Sequence, residues 1–177
     1  MSQAPDVTLR VRALLPEDAP SYVTLRREAL LDAPLSFASS PDDDNASNAL
    51  WVAEQIAKAP DAIFFGAFQG GLVGAVGLYR DRHLKSSHKA HLWGMYVTPA
   101  VRRSGAGARL LDAAVRHAEA LAGISSVHLC VSSSAPGARR LYETAGFQAW
   151  GIEPDALRHE GETVSDLHMI LRLPAVL

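Results

Sequence analysis

The sequence predicts an α/β fold in which helices cover one mixed β-sheet. Short apolar or alternating segments, which are typical of strands, are interleaved with longer segments whose apolar residues recur at helical spacing. No proline-, glycine- or serine-rich linker divides the 177 residues, and a chain of this length forms one hydrophobic core by default. We therefore expect a single domain over residues 1–177, with its core at about residues 7–173.

The N-terminal part begins with a strand and two helices. Alternating apolar and polar residues predict the strand at Val7–Leu14. A first helix opens at Pro16 with acidic residues in its first turn, and a second runs from about Asn48 to Lys58 after a polar loop at Ser39–Ser47. The apolar face of the first helix is formed by Tyr22, Leu25, Ala29 and Leu30.

A run of strands and then alternating helices and strands make up the rest of the chain. Residues 62–68 and 72–79 flank Gln69-Gly70-Gly71, which is a strong hairpin signal, and Lys89–Val97 is a further strand. Glycine and proline mark the later boundaries. In chain order the later elements are a helix from Ala106 that Gly123 ends, a strand at Ser126–Val131, a helix from Pro136 that Gly146 ends, and two closing strands at residues 147–151 and 164–173 around a polar turn at Glu160-Gly161.

Composition argues against several classes of function. The formal net charge is −2, so the chain lacks the basic surface that general nucleic-acid binding needs. No uncharged run reaches the length of a membrane-spanning helix, and no apolar run resembles a signal peptide. Cys130 is the single cysteine, and its apolar neighbours predict a buried, reduced thiol. We expect a cytoplasmic protein that has neither nucleic acid nor a membrane as its partner.

One segment combines a strand end, two arginines and a glycine turn at the start of a helix. It reads VTPAVRRSGAGARLL and begins at Val97. A P-loop would need a lysine after its second glycine, and a dinucleotide-binding fingerprint would need a third glycine where Leu110 stands. What remains is a helix N-terminus, whose free amide groups and dipole favour a phosphate.

The residues around this turn suit an anion. Gly105 and Gly107 would let a phosphate approach the backbone closely. Positive charge could come from Arg102, Arg103 and Arg109. The alternative is an ordinary strand-to-helix turn with solvated arginines, because short glycine motifs also arise by chance.

The same segment resembles motif A of the GCN5-related N-acetyltransferase (GNAT) superfamily, whose pattern is Val-x-Pro, two residues, then Gln/Arg-x-x-Gly-x-Gly/Ala. Here Val97-Thr98-Pro99 precedes Arg102-Arg103-Ser104-Gly105-Ala106-Gly107. The segment ARRLYETAGF at Ala138–Phe147 resembles the second signature of the family, Ala-x-x-Leu-Tyr-x-x-x-Gly-Phe. The likeness covers nearly the whole chain. One departure is Ala135, where the family commonly has an asparagine that helps to hold the cofactor.

The resemblance implies a mostly antiparallel sheet with a splayed central strand pair, helices on both faces and acetyl-CoA as co-substrate. The pantetheine arm would lie between the strand through Met95 and the strand through Val131 and pair with backbone groups. The residues that the resemblance assigns to acetyl-CoA are Met95, Tyr96, Val97, Arg102, Arg103, Ser104, Gly105, Ala106, Gly107 and Ala108.

The resemblance also implies catalytic roles. The backbone NH of Met95 would bind the thioester oxygen, and Tyr142 would donate a proton to the leaving thiolate. Tyr142 could instead be only a core residue, because it shares a helical stripe with other apolar residues.

His91 is a candidate general base, with a water chain to solvent as the alternative. We expect no metal site, since His88 and His91 would point to opposite faces of a strand.

The predicted function is an N-acetyltransferase that moves an acetyl group from acetyl-CoA to a primary amine by direct attack in a ternary complex. The amine could belong to a small molecule, an amino acid or a protein. The alternative is a non-catalytic acyl-CoA-binding sensor or interaction module. The acidic segment Pro41–Asn45 is expected to be solvated, and Trp51 and Trp150 to line a pocket or join the core. A homodimer could form through the edge of a closing strand.

Overall fold

The computed structural model describes residues 8–174, which form one sheet of seven strands and four helices. The strands are Arg10–Ala13 (β1), Ala62–Phe68 (β2), Leu72–Arg80 (β3), Lys89–Val97 (β4), Ser126–Ser132 (β5), Gln148–His159 (β6) and Glu162–Arg172 (β7). The helices are Ala19–Asp32 (α1), Ala49–Ile56 (α2), Ala106–Ala120 (α3) and Pro136–Thr144 (α4).

The sheet is mixed and mostly antiparallel, as predicted. Its strand order is β1-β2-β3-β4-β5-β7-β6. The pair β4–β5 is parallel and the other five neighbouring pairs are antiparallel. A parallel pair needs a crossover connection, and α3 provides it between β4 and β5.

Helices cover both faces of the sheet, as the resemblance implies. One buried cluster joins Leu110 and Leu111 of α3 to Val127 of β5, and another joins Tyr22 of α1 to Val52 of α2. Burial of such side chains is the main favourable contribution to folding. Among the helices of residues 8–174, none combines the length and apolar character that a membrane crossing needs.

Strand β4 contains a bulge at Gly94. Ala75 of β3 lies opposite Tyr96, whereas Gly77 lies opposite Trp93, so β4 has one residue more than β3 over this stretch. Gly94 has a φ of +63°, a value that glycine adopts without the steric cost of a Cβ atom. An extra residue of this kind bends the strand and changes the direction of the groups that follow it.

Strands β4 and β5 separate soon after they meet. Within the described chain they pair from Lys89↔Ser126 to His91↔His128, although β4 continues to Val97 and β5 to Ser132. The predicted splay of the central strand pair is therefore confirmed. Beyond the last pair, the facing backbone edges of the two strands border a gap.

Several boundaries differ from the predictions. Val7 lies outside the described residues, and β1 begins at Arg10. Strand β6 is much longer than the predicted residues 147–151, because register shifts let it continue past Pro154 at the edge of the sheet. The turn at Glu160-Gly161 is as expected, with φ values of 48° and 85° that suit a two-residue hairpin loop.

We predict that Leu110→Ala lowers the free energy of unfolding by about 2–5 kcal/mol, because it leaves a cavity under α3 where the side chain is fully buried. Urea denaturation measures the change. Leu50→Ala is the matched control, since Leu50 is 78% exposed on α2 and should cost less than about 0.5 kcal/mol. Equal losses in the two variants would contradict this description of the core.

Candidate functional site

The gap between β4 and β5 adjoins a cavity of about 620 Å³ on the face of the sheet that α1 and α2 cover. Its walls come from α1, the loop before α2 and strands β3 to β7. Aromatic side chains make a large part of the lining: Phe37, Trp51, Tyr79, Trp93 and Trp150. A concave, partly aromatic cavity with a few polar groups is typical of a small-molecule site.

At the far end of β4, the turn before α3 leaves backbone amide groups open. Arg103 and Gly105 have φ values of 66° and 87°, and Gly105 is the N-cap residue of α3. Within residues 8–174, no side chain caps this helix end. Apart from Gly105 and its two chain neighbours, no heavy atom lies within 4 Å of the place that a Gly105 Cβ would take. The first-turn amides of Ala106, Gly107 and Ala108 therefore have no side-chain cap, and such uncapped amides can bind an anion.

Arg102 lies at this turn but its side chain points away from the helix end. Its Nε donates to the carbonyl oxygen of Val97 over 2.9 Å, its Nη2 donates to Asp32, and its guanidinium lies 5.5 Å from the centre of the Tyr96 ring. Arg103 and Ser104 are exposed beside the turn. Arg102 thus fixes the loop to α1, although its side chain is 47% exposed. Arg103 is exposed as well, and it forms no ion pair among residues 8–174.

A polar network ties the end of β4 to α1. The Tyr96 hydroxyl lies 3.1 Å from carboxylate oxygens of both Glu28 and Asp32, and the Thr98 hydroxyl donates to Glu28. Burial, with Glu28 beside it, raises the pKa of the Tyr96 phenol, which therefore stays a donor at neutral pH. The side chain of Tyr96 faces α1, so only its backbone remains to face the gap.

Tyr142 is buried on α4, with 6% of its surface exposed. Its ring meets the Phe147 ring edge to face, with centroids 5.9 Å apart. Burial raises the pKa of the Tyr142 phenol, so the group is protonated over the whole neutral range. At the start of α4, Ala135 is the N-cap residue, and no side chain in the described part of the protein caps it.

His91 lines the cavity at the point where β4 and β5 part. Its ring stacks on Tyr79, with centroids 5.0 Å apart, and its Nε2 lies 3.3 Å from Oδ2 of Asp81. Apart from this ion-pair contact, the buried Nε2 has no hydrogen-bond partner within residues 8–174. Next to it, burial and the neighbouring His91 lower the pKa of His128, which favours a neutral imidazole.

A second polar cluster crosses strands β5, β7 and β6, and the sequence reasoning missed it. The Sγ atom of Cys130 lies 3.1 Å from Nδ1 of His168, whose Nε2 lies 3.3 Å from Oε2 of Glu153. The prediction that Cys130 is buried is wrong. Successive residues of a strand point to opposite faces, so that Leu129 faces the core and Cys130 faces the cavity. Desolvation raises the pKa of this thiol, so it is protonated at neutral pH.

Arg26 and Asp44 form a buried ion pair in the cavity wall. Nε of Arg26 donates to Oδ2 of Asp44 over 3.0 Å and Nη2 donates to Oδ1 over 3.2 Å, and both residues are 8% exposed. The expectation that the acidic segment is solvated is therefore wrong for Asp44. Arg26 stands four residues after Tyr22, on the apolar face of α1. A charged residue on an apolar helix face is the sequence signal that could have indicated this buried ion pair.

Among residues 8–174, no group of three or more histidine, cysteine or acidic side chains is placed to hold a metal ion. Trp51 and Trp150, which the sequence left open between pocket and core, both line the cavity.

The sequence model of the acetyltransferase (GNAT) family matches residues 24–147, which is more than half of the chain. No curated protein matches the sequence significantly.

Solved structures share the fold. An acetyltransferase of the GNAT family from Streptococcus pneumoniae has a TM-score of 0.82 at 22% identity, over 94% of this chain and 100% of that one. A GCN5-related N-acetyltransferase from Kribbella flavida has a TM-score of 0.80 at 23% identity, over 96% and 100%. A phosphinothricin acetyltransferase from Sinorhizobium meliloti, solved with acetyl-CoA, has a TM-score of 0.79 at 20% identity, over 94% and 89%. With this shared fold and the match over residues 24–147, the chain belongs to the acetyltransferase (GNAT) family, which confirms the resemblance and the prediction of an acyltransferase.

Proposed function

We propose that the protein transfers an acetyl group from acetyl-CoA to a primary amine by direct attack in a ternary complex. One observation carries the proposal: the gap between β4 and β5 has an open helix N-terminus at one end and a polar, aromatic cavity on one face. These are the two compartments that a two-substrate transfer needs. Membership of the acetyltransferase family and the acetyl-CoA bound to the Sinorhizobium meliloti relative support the choice of donor.

The residues at the turn fit the diphosphate of acetyl-CoA. Open space at Gly105 and the uncapped amides of residues 106–108 suit phosphate oxygens, and Arg103 adds positive charge. Ser104 completes the turn, while Arg102 holds it in place through Asp32. The edge of residues 95–97 that does not pair with β5 would pair with the amide groups of pantetheine. When bound, acetyl-CoA supplies an acetyl group activated as a thioester.

The amide of Met95 is the proposed donor to the thioester oxygen. Met95 follows the bulge at Gly94, and a bulge redirects the backbone NH of the residues beside it. A fixed donor aimed at an oxygen that gains negative charge is worth about 2.7–4 kcal/mol of barrier. Because the donor is backbone, it needs no side chain at this position.

Tyr142 is the proposed general acid for the departing sulfur. A phenol has a pKa near 10 and a thiol near 8.5, and burial raises the pKa of Tyr142 further. Full transfer to a free thiolate would be uphill, so the proton has to move while the charge develops, within a positioned hydrogen bond. The ring packing against Phe147 would hold the hydroxyl in one place.

His91 is the proposed base for the amine, and His128 stands beside it. An alkyl ammonium ion has a pKa of about 10.4, so a proton must leave before attack at neutral pH. The two ring centroids lie 5.4 Å apart in the cavity wall, and the lowered pKa of His128 keeps one of the rings in the form that accepts a proton.

A homodimer and a cytoplasmic location stay predictions. Strand β6 is the last strand of the sheet, and its residues Trp150 and Ile152 are 63% and 70% exposed. An exposed edge of this kind can pair with another strand. Gel filtration coupled to light scattering measures the mass in solution.

We predict that acetyl-CoA and a panel of primary amines release free CoA thiol in the presence of this protein at a rate above the hydrolysis background. The thiol is measured colorimetrically, and mass spectrometry identifies the N-acetylated amine. Binding of CoA without thiol release, across amino acids, peptides and alkylamines, would instead favour a non-catalytic acyl-CoA-binding module.

We predict that Gly105→Ala weakens CoA binding at least tenfold, because its methyl group would enter the space next to the phosphate-binding amides. Gly161→Ala is the matched control: Gly161 has a φ of +85°, against +87° for Gly105, with equally open surroundings. Both variants should lose a similar free energy of unfolding, about 1–2 kcal/mol, from backbone strain. Isothermal titration calorimetry measures the affinity, and equal affinities in the two variants would rule out the proposed phosphate site.

We predict that Tyr142→Phe lowers kcat by about 100-fold or more, since it removes the proposed proton donor. The affinity for acetyl-CoA should stay within about twofold, because the packed ring remains. Steady-state kinetics and calorimetry measure the two quantities. Unchanged kcat would assign Tyr142 to the core alone.

A further inference from the structure

Two buried side-chain nitrogens in residues 8–174 lack a hydrogen-bond partner, and both belong to residues that line the same cavity. They are Nη1 of Arg26 and Nε2 of His91. A buried polar nitrogen without a partner has lost its hydrogen bonds to water and gained none in return, so such groups are rare in folded proteins. Their shared location indicates that a ligand completes the hydrogen bonding of this cavity.

Arg26 is the more informative of the two, because its position is fixed from several sides. Asp44 engages Nε and Nη2, and the guanidinium carbon lies 4.9 Å from the centre of the Phe37 ring and 5.9 Å from that of Trp93. Since Asp44 binds the other two nitrogens, Nη1 is the guanidinium nitrogen that lacks a hydrogen-bond partner. A guanidinium nitrogen always carries hydrogens to donate, so its missing partner has to be a hydrogen-bond acceptor.

Nη1 of Arg26 lies beside the proposed reaction centre at the Met95 amide. Nη1 is 3.8 Å from the point that a Cβ atom on Gly94 would occupy. Allowing for one carbon–carbon bond, Nη1 lies within about 5 Å of the Gly94 Cα atom. Met95, whose amide is the proposed donor to the thioester oxygen, is the next residue. Gly94 itself places no side chain at this point, and the hydroxyl oxygen of Tyr22 lies 3.7 Å from the same position.

We infer that Arg26 selects acceptors whose amine lies one carbon away from a carbonyl or carboxylate carbon, through a hydrogen bond from Nη1 to that oxygen. The inference rests on the proposed acetyl transfer and names its acceptor class. Because Nη1 lies close to Gly94, and so to the proposed reaction centre at Met95, the oxygen that it binds should be close to the reacting amine. In an α-aminoacyl group a single carbon separates the amine from the carbonyl carbon, which is the shortest common separation. Plain alkylamines would leave Nη1 buried and unpaired.

The charges around the cavity favour a neutral oxygen over a carboxylate. Asp44 already neutralises Arg26, and the other charged lining residues are Asp43, Asp166 and Lys89. The carboxylates outnumber the cations by three to two among these five residues. This balance attracts an ammonium group and disfavours a second anion, so an aminoacyl amide or a peptide N-terminus suits the cavity better than a free amino acid.

The test compares acceptors on the unaltered protein. Glycinamide and isobutylamine have nearly the same shape, and only glycinamide has the oxygen. Because an α-amino group has a pKa near 8 and an alkylamine near 10.4, each kcat/KM is expressed per neutral amine. We expect glycinamide to exceed isobutylamine by about 10- to 100-fold, the usual effect of a hydrogen bond to a charged group. β-Alaninamide, with one more carbon, should fall between them.

A paired substitution tests the role of Arg26. The double variant Arg26→Met with Asp44→Asn removes both members of the ion pair, so that neither charge is left buried alone. The preference for glycinamide should fall to less than threefold, while the affinity for acetyl-CoA and the Tm stay near those of the unaltered protein. Arg12→Met with Asp18→Asn is the control, because that ion pair lies outside the cavity lining and its loss should leave the preference unchanged.

The outcomes separate this inference from the proposed function. A glycinamide preference below threefold in the unaltered protein, with both amines acetylated, overturns the inference and leaves acetyl transfer in place. The inference also fails if the folded double variant keeps the full preference. A double variant that does not fold leaves the acceptor comparison as the deciding result. Glycine used better than glycinamide keeps the role of Arg26 but overturns the choice of a neutral oxygen, because the oxygen would then belong to a carboxylate. Acetylation of no amine despite acetyl-CoA binding overturns both proposals.

Discussion

The parting of β4 from β5 after His91 and His128 is the constraint on which the rest of the site depends. Two features keep the strands apart. The bulge at Gly94 changes the direction of β4, and the hydrogen bonds of Tyr96 to α1 hold its far end against that helix. If the two strands paired along their whole length, the backbone edges that face the gap would be occupied by each other.

The gap divides the site into two halves, one formed by backbone groups and the other by side chains. Towards α3 the surface consists of backbone: the strand edge of β4 and the first-turn amides that follow Gly105. Towards α1 and α2 the surface consists of side chains, several of them aromatic or titratable. A backbone surface suits an acyl donor that all members of a family share, because it does not depend on the side chains. A side-chain surface can differ from one member to another with the acceptor molecule, without disturbing the fold.

Polar groups in the cavity restrain one another across strands. His91 and His128 sit at the last residue pair of β4 and β5, and Cys130, two residues further along β5, meets His168 across the pair β5–β7. Partial burial, with a smaller effect of neighbouring charges, lowers the pKa of His128 and raises that of Cys130. Both shifts favour the neutral form, so this wall of the cavity carries donors and acceptors with little charge.

The sequence by itself determined the order of the helices and strands, the glycine turn before α3 and the two family signatures. These depend on local rules: the period of apolar residues, the φ values that glycine permits and the groups left free at a helix end. The sheet order, the splay and the cavity side chains were decided by the tertiary structure. Arg26 and Asp44 are 18 residues apart in sequence, and Cys130 and His168 are 38 apart. No local pattern encodes such pairs, because strand pairing and helix packing bring them together only when the chain is folded.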